Sequence, residues 1–173
     1  MEIQTPDEFT DVDSLLGFWK TVRKNLSDNL NRISPEDFIR IPEKGWSFSQ
    51  LAEHLYLSQI AVSFIVTKSR LSEIVPQKPD YQEIIHTYLT KKGMPNPSEV
   101  GPKNNYPKDR ILSLLGKVDK KLHEAAVKAG TDELRQKGWT HPYAGDISVF
   151  DFIWLMALHE YSHYENLLKR LSN

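Results

Sequence analysis

The chain has 173 residues, of which 39% are hydrophobic and 26% charged, with a formal net charge of −1. That profile suits one domain with a sizeable core and leaves no basic footprint for nucleic acid. There is no cysteine, so disulfides, iron–sulfur clusters and thiolate zinc are excluded. Any metal would rest on histidine, carboxylate and water.

The first residues, Met1 to Asp7, are polar and acidic, unlike a secretory leader. No apolar run approaches the roughly 20 residues needed to cross a bilayer. A cytoplasmic protein without membrane or nucleic-acid partners is the expectation. From Phe9, apolar residues recur at steps of three and four through Val12, Leu16, Trp19, Leu26, Leu30 and Ile33, which predicts a first helix. Thr5 and Glu8, with Pro6 between them, read as its capping box. Ser47 and Gln50 form a second box. They open a helix through Leu51, Leu55, Val62 and Ile65 to about Leu71.

Pro76, Pro79, Pro95, Pro97, Gly101 and Pro102 then interrupt the pattern. Asp80 to Leu89 reads as a short extra helix and Asn96 to Tyr106 as a loop. A third long helix starts after Pro107, carries Ile111, Leu115, Val118, Leu122, Ala125 and Ala129 on one face, and stops at Gly130. Its lysines from Lys117 to Lys128 read as a solvated face. Trp139 to Asp146 is rich in turn residues, and Ser148 caps a last helix to about Leu171. No strand-like alternation stands out. The expected fold is all-α: a single four-helix-bundle domain, 1-173, with irregular loops.

The last helix contains His159-Glu160-Tyr161-Ser162-His163, an H-E-x-x-H string. Two histidines four apart stack on one helical face, and Phe152, Met156, His159, His163 and Leu167 form one inward stripe. His54 lies on the second helix in the stripe Leu51, His54, Ser58, Ala61, Ile65. The bland reading is three core histidines with hydrogen-bond partners. The sharper one is a three-histidine metal site between two helices, open to water or substrate. A zinc protease is the remote alternative. It needs a third ligand beyond the string, yet Tyr164 to Asn173 offers only Glu165, on another face, and there is no candidate for a substrate-aligning strand.

Gly45-Trp46-Ser47-Phe48-Ser49-Gln50-Leu51-Ala52-Glu53-His54-Leu55 resembles the second-helix signature of the DinB-like (DinB/YfiT-like) superfamily. His141-Pro142-Tyr143-Ala144-Gly145 followed by His159-x-x-x-His163 is similar to that family's final loop and helix. The resemblance covers nearly the whole chain and implies an up-down-down-up four-helix bundle with a divalent metal on His54, His159 and His163. Zinc, nickel, iron or manganese are the implied occupants. It also implies a hydrolase, or a transferase or isomerase using a low-molecular-weight thiol such as bacillithiol or mycothiol. Asn166 departs from the pattern, since many relatives carry Gln there.

A metal at this site would lower the pKa of a water or thiol and supply a nucleophile. Glu160 is a candidate catalytic base or partner of a ligand histidine, and equally a candidate surface salt-link residue. Glu53 and Tyr56 point away from His54 by periodicity and read as surface or interface residues. Trp19, Trp46 and Tyr143 are candidate pocket walls, and His141 a candidate for the site mouth. His86 and His123 carry no partner pattern. A small-molecule substrate and a homodimer are expected. The competing class is a non-catalytic bundle that binds a small ligand or partner helix.

Overall fold

In the computed structural model, residues 3–90 and 101–172 are described. Six α-helices dominate: α1 (Val12–Arg32), α2 (Pro35–Ile39), α3 (Phe48–Lys68), α4 (Tyr81–Thr90), α5 (Lys108–Gln136) and α6 (Val149–Leu171). The four long ones, α1, α3, α5 and α6, form the bundle. α3 packs on α5 and α6, and α1 packs on α6 and α5. The core they share includes Trp19, Leu26, Leu55, Ile111, Leu122, Phe150 and Trp154. No described helix is long and apolar enough to cross a membrane.

The helix starts follow local chemistry. Ser47 Oγ accepts from the Gln50 amide at 3.0 Å, and Gln50 Oε1 accepts in return from the Ser47 amide at 3.0 Å. This reciprocal box satisfies two amides that the first turn of α3 would otherwise orphan. Ser148 Oγ likewise accepts from the Asp151 amide at the start of α6, and Asp80 accepts from the Gln82 and Glu83 amides ahead of α4.

The first predicted helix is in fact divided. Thr5 and Glu8 cap only a 3-10 turn, Pro6–Glu8. The chain then extends through Phe9, and α1 starts afresh at Val12 with Asp11 and Ser14 as a second box. α1 stops at Ile33, and Ser34 with Pro35 starts the short α2. The first break lies inside one continuous apolar stripe, which periodicity reads as one helix, and the second falls where that stripe ends at Ile33. α3 gives way to a 3-10 turn at Ser69–Leu71, and Ala61 on its predicted inward face is exposed.

Gly130, at φ 78°, interrupts α5, but a further turn continues to Gln136. Ala125 and Ala129 pack against the core partly buried, and Ala126 beside them is fully buried. The lysines from Lys117 to Lys128 are exposed, as expected of a solvated face. Residues 101–107 are irregular, while 96–100 of the expected loop lie outside the described residues.

Where turn residues predicted only a loop, the structure has a β-hairpin. β1 (Gly138–His141) pairs antiparallel with β2 (Gly145–Ser148), with Trp139 opposite Ile147 and His141 opposite Gly145. The extended segment before α4 lies alongside it. The Gly138 amide donates to Ile74 O at 3.1 Å, and the Gln77 amide to Asp146 O at 2.7 Å. A Cβ on residue 138 would stand 2.6 Å from Ile74 O, so the close approach needs glycine. The hairpin therefore ties the chain before α4 to the start of α6.

Candidate metal centre

Seven residues into α3, His54 is buried, with 1% exposure. It meets two partly buried histidines on α6. His159 Nε2 lies 3.0 Å from His54 Nε2 and 3.0 Å from His163 Nε2. One nitrogen from each ring lies within 4.8 Å of the other two. The i,i+4 spacing puts His159 and His163 on one face, and the packing of α3 on α6 brings His54 to it.

The donor set fits a cation better than it fits hydrogen bonding. A neutral imidazole nitrogen carries either one proton or one lone pair. His159 Nε2 therefore cannot make a full hydrogen bond to both neighbours, since one proton or lone pair must serve two contacts. A cation among the three can take a lone pair from each. Two nitrogens 3.0 Å apart subtend about 90° at an ion with bonds of ~2.1 Å. Burial pushes His163 down to about 3, with His54 adding to the shift. Burial, then His163, His54 and His141, hold His159 well below the ordinary imidazole value. Both rings are neutral at pH 7 and their lone pairs are available.

Aromatic rings border the triad. The Trp46 ring lies 5.0 Å from His54, and the Tyr88 ring of α4 lies 6.3 Å from His159. Burial pushes the Tyr88 phenol up to about 12, with Tyr143 adding to it. Tyr88 was not among the sequence candidates. A ten-residue helix shows little of where it docks, and only its aromatic at the eighth position hinted at a buried contact. His141, in the hairpin turn, packs its ring 5.0 Å from Phe152 and 5.9 Å from Tyr143. Burial holds it down to about 4.

Glu160, adjacent to His159, faces α1 instead. It is fully buried. Oε2 accepts from Trp19 Nε1 at 2.8 Å, and the two oxygens pair with Arg23 Nε and Nη2. A carboxylate so engaged is neither the surface salt link nor the free base that its position in the string suggests. Trp19 is correspondingly a buried partner of Glu160, stacked 5.5 Å from His123, and not a pocket wall. The signal for this pair was Arg23 itself, a cation four residues after Trp19 on an apolar stripe, which requires a buried counter-charge.

Glu53 corrects a second expectation. It is 3% exposed, and one of its oxygens, Oε2, accepts from the Lys103 and Asn104 amides at 3.0 and 2.7 Å. Its Oε1 accepts from Asn104 Nδ2 at 2.6 Å. It anchors the segment entering α5, one residue before His54. His86 is exposed, and His123 bonds to Asp119 O at 3.0 Å. Two open surface clefts, of about 440 and 380 Å³, lie elsewhere, and neither is lined by any histidine.

Three histidines converging from two helices of a bundle form a group that could hold a metal ion. The chain belongs to the DinB superfamily, whose family model matches residues 18–167. It is 22% identical over 175 residues to a protein of Oceanobacillus iheyensis named "Putative metal-dependent hydrolase", spanning 99% of this chain and 93% of that one. Its fold is similar to that of YfiT from Bacillus subtilis, described as a probable metal-dependent hydrolase with an unusual four-helix bundle topology. The TM-score is 0.62 at 14% identity, over 92% of this chain and 87% of that chain. It is also similar in fold to a mycothiol-dependent maleylpyruvate isomerase, with a TM-score of 0.63 at 15% identity. That match covers 95% of this chain and 63% of the isomerase.

Proposed function

We propose that this protein is a metal-dependent enzyme acting on a small molecule, with His54, His159 and His163 holding one divalent cation. The reaction is hydrolysis or transfer involving a low-molecular-weight thiol. The observation that carries the reading is His159 Nε2 at 3.0 Å from both other Nε2 atoms, a contact set that one proton cannot satisfy. The named functions of the relatives, hydrolase and thiol-dependent isomerase, favour the same chemistry.

When bound, the cation supplies Lewis acidity, which brings the pKa of a water or thiol toward neutrality. The protein's own part is to present three neutral nitrogens on two packed helices and to wall the approach with rings. Trp46 and Tyr88 limit the access of bulk water to the triad. Arg23 and Trp19 fix Glu160 on the α1-facing side of α6, about 100° round the helix from His159, which holds the rotation of α6 about its own axis. Glu160 is on this reading a positioning residue. His141 and Tyr143 sit where a substrate would enter.

Elemental analysis of untagged protein tests the reading. About one ion per chain is expected, lost in a His54→Ala/His159→Ala double variant. A wild-type protein that neither copurifies with nor rebinds zinc, nickel, iron or manganese would instead be the non-catalytic bundle. His163→Leu would then leave its stability unchanged or raise it, as an apolar group replaces a desolvated polar one.

A further inference from the structure

A further histidine, His141 at the end of β1, packs against α6 on the stripe that carries His159, and its own backbone contacts fix its tautomer. His141 Nδ1 accepts from the Tyr143 amide at 3.2 Å and from the Ala144 amide at 3.1 Å. Backbone nitrogens can only donate, so Nδ1 must carry a lone pair. In the neutral ring the proton is then on Nε2. This tautomer is set by the turn His141–Ala144 itself. The ring has little freedom to leave it, because the Phe152 ring lies edge-on at 5.0 Å and Tyr143 lies at 5.9 Å.

The position matters as much as the proton. Phe152 belongs to the stripe of α6 that carries His159, two turns earlier, about 10 Å along the axis. Tyr88 closes the gap from the other side, with its ring 6.3 Å from His159 and its phenol close enough to Tyr143 to be influenced by it. Phe152 and Tyr88 are thus the rings that lie between the hairpin turn and the triad.

A fourth metal ligand would need a lone pair on His141 Nε2. That would place the proton on Nδ1, pointing at two amide N–H groups. The same argument excludes His141 Nε2 as a general base. What the turn leaves available is an N–H.

We propose that His141 is the hydrogen-bond donor of this centre, its Nε2–H binding the oxygen of a carbonyl-containing substrate whose reacting group is held at the triad. The proposal rests on the metal reading above. It identifies the substrate class as esters, amides or keto compounds, in which negative charge gathers on that oxygen and a fixed donor stabilises it. Donation costs no proton transfer, so the donor is present before the substrate arrives.

Two measurements test it. Long-range proton–nitrogen spectra of histidine-labelled wild-type protein report the tautomer of His141, expected to be Nε2–H with and without zinc. Calorimetry on the zinc-loaded protein with acetohydroxamate, a carbonyl-bearing probe, reports the contact. His141→Phe is expected to bind the probe about tenfold more weakly, the weight of one good hydrogen bond. His141→Gln, which keeps a donor nitrogen, should recover to within about threefold of wild type. Zinc affinity should be the same in all three. Conversion of His141 to the Nδ1–H form on adding zinc would make it a ligand and overturn the proposal. Equal probe binding by His141→Phe, or no recovery in His141→Gln, would also overturn it. Failure of the wild type to bind zinc would remove the metal reading and this proposal with it. Zinc binding with unchanged probe affinity removes this proposal alone.

Discussion

Two neighbouring residues of α6, His159 and Glu160, lead to two different kinds of buried polar cluster. Glu160 meets Arg23 and Trp19, and every contact pairs a donor with an acceptor. His159 meets His54 and His163, and the single proton or lone pair on its Nε2 has two contacts to serve. Both clusters are covered by the same bundle. Arg23 Nη1 stays buried without a hydrogen-bond partner, so the difference is whether the chain gives every charged or polar contact both a donor and an acceptor. The first kind of cluster serves the fold, and the second is one that could hold a metal ion. The H-E-x-x-H string thus joins a carboxylate of the bundle's ion pair to two histidines of the candidate metal site.

The most severe way to break the contrast is to remove one member of the completed cluster. Glu160→Ala leaves Arg23 as an uncompensated charge at 8% exposure, a loss expected to be about 3–5 kcal/mol by urea denaturation. Replacing both partners, with Arg23→Met and Glu160→Leu, should restore most of that stability, because the desolvation cost disappears with the charges. If the double variant is as unstable as the single one, the pair is more than a self-contained unit and the contrast drawn here fails.

How the bundle reads from its sequence follows the same division between local and distant causes. Ser47 and Gln50, Asp80, Ser148, and the stripe from Phe152 through His163 to Leu167 are legible because capping and periodicity act over three or four residues. His54 is legible as a candidate because an imidazole interrupts an apolar face. Four features were hidden. The break before Val12 lies inside a continuing stripe. The four-residue strands at Gly138 and Gly145 are too short for alternation to show. Glu53 owes its burial to a segment that returns 50 residues later. Tyr88 reaches His159 only through the docking of α4. For Glu53 and Tyr88 the cause is a contact between parts of the chain that no short window contains, whereas the break before Val12 and the hairpin arise locally, under an apolar stripe and a run of turn residues that mask them.

The incomplete cluster should show itself when protons compete for its nitrogens. In metal-free protein, His163 and His141 are held down to about 3 and about 4, and His159 lower than its ordinary value as well, all chiefly by burial. Unfolding releases each to the ordinary imidazole value of about 6.5. Below that value the unfolded chain binds more protons than the folded one, so stability falls as pH falls. Between pH 7 and 6 the three histidines together contribute a loss on the order of 2 kcal/mol, measurable by denaturant titration at each pH. His163→Leu should flatten that dependence by roughly a third. A profile as steep in the variant as in the wild type would place the titrating groups elsewhere.

The gentlest test concerns Glu53, a carboxylate that resembles Glu160 in being completed by the chain but differs in having backbone amides as its main donors. Glu53→Gln keeps one acceptor oxygen and nearly the same shape, while the second oxygen becomes an amide that cannot accept. Oε2 receives the Lys103 and Asn104 amides, and Oε1 receives Asn104 Nδ2. Gln can therefore keep the backbone pair and turn its own amide toward Asn104, whose side chain can rotate to present oxygen. The expected cost is about 1 kcal/mol, the difference between charged and neutral acceptors, and amide exchange should quicken at Lys103 and Asn104. Because His54 follows directly on α3, metal affinity separates two accounts of this residue. A small loss of stability with unchanged affinity means that Glu53 secures the approach to α5 and nothing more. A loss of affinity well beyond the loss of stability would mean that the completed clusters also hold the incomplete one in register, through α3 as well as through α6.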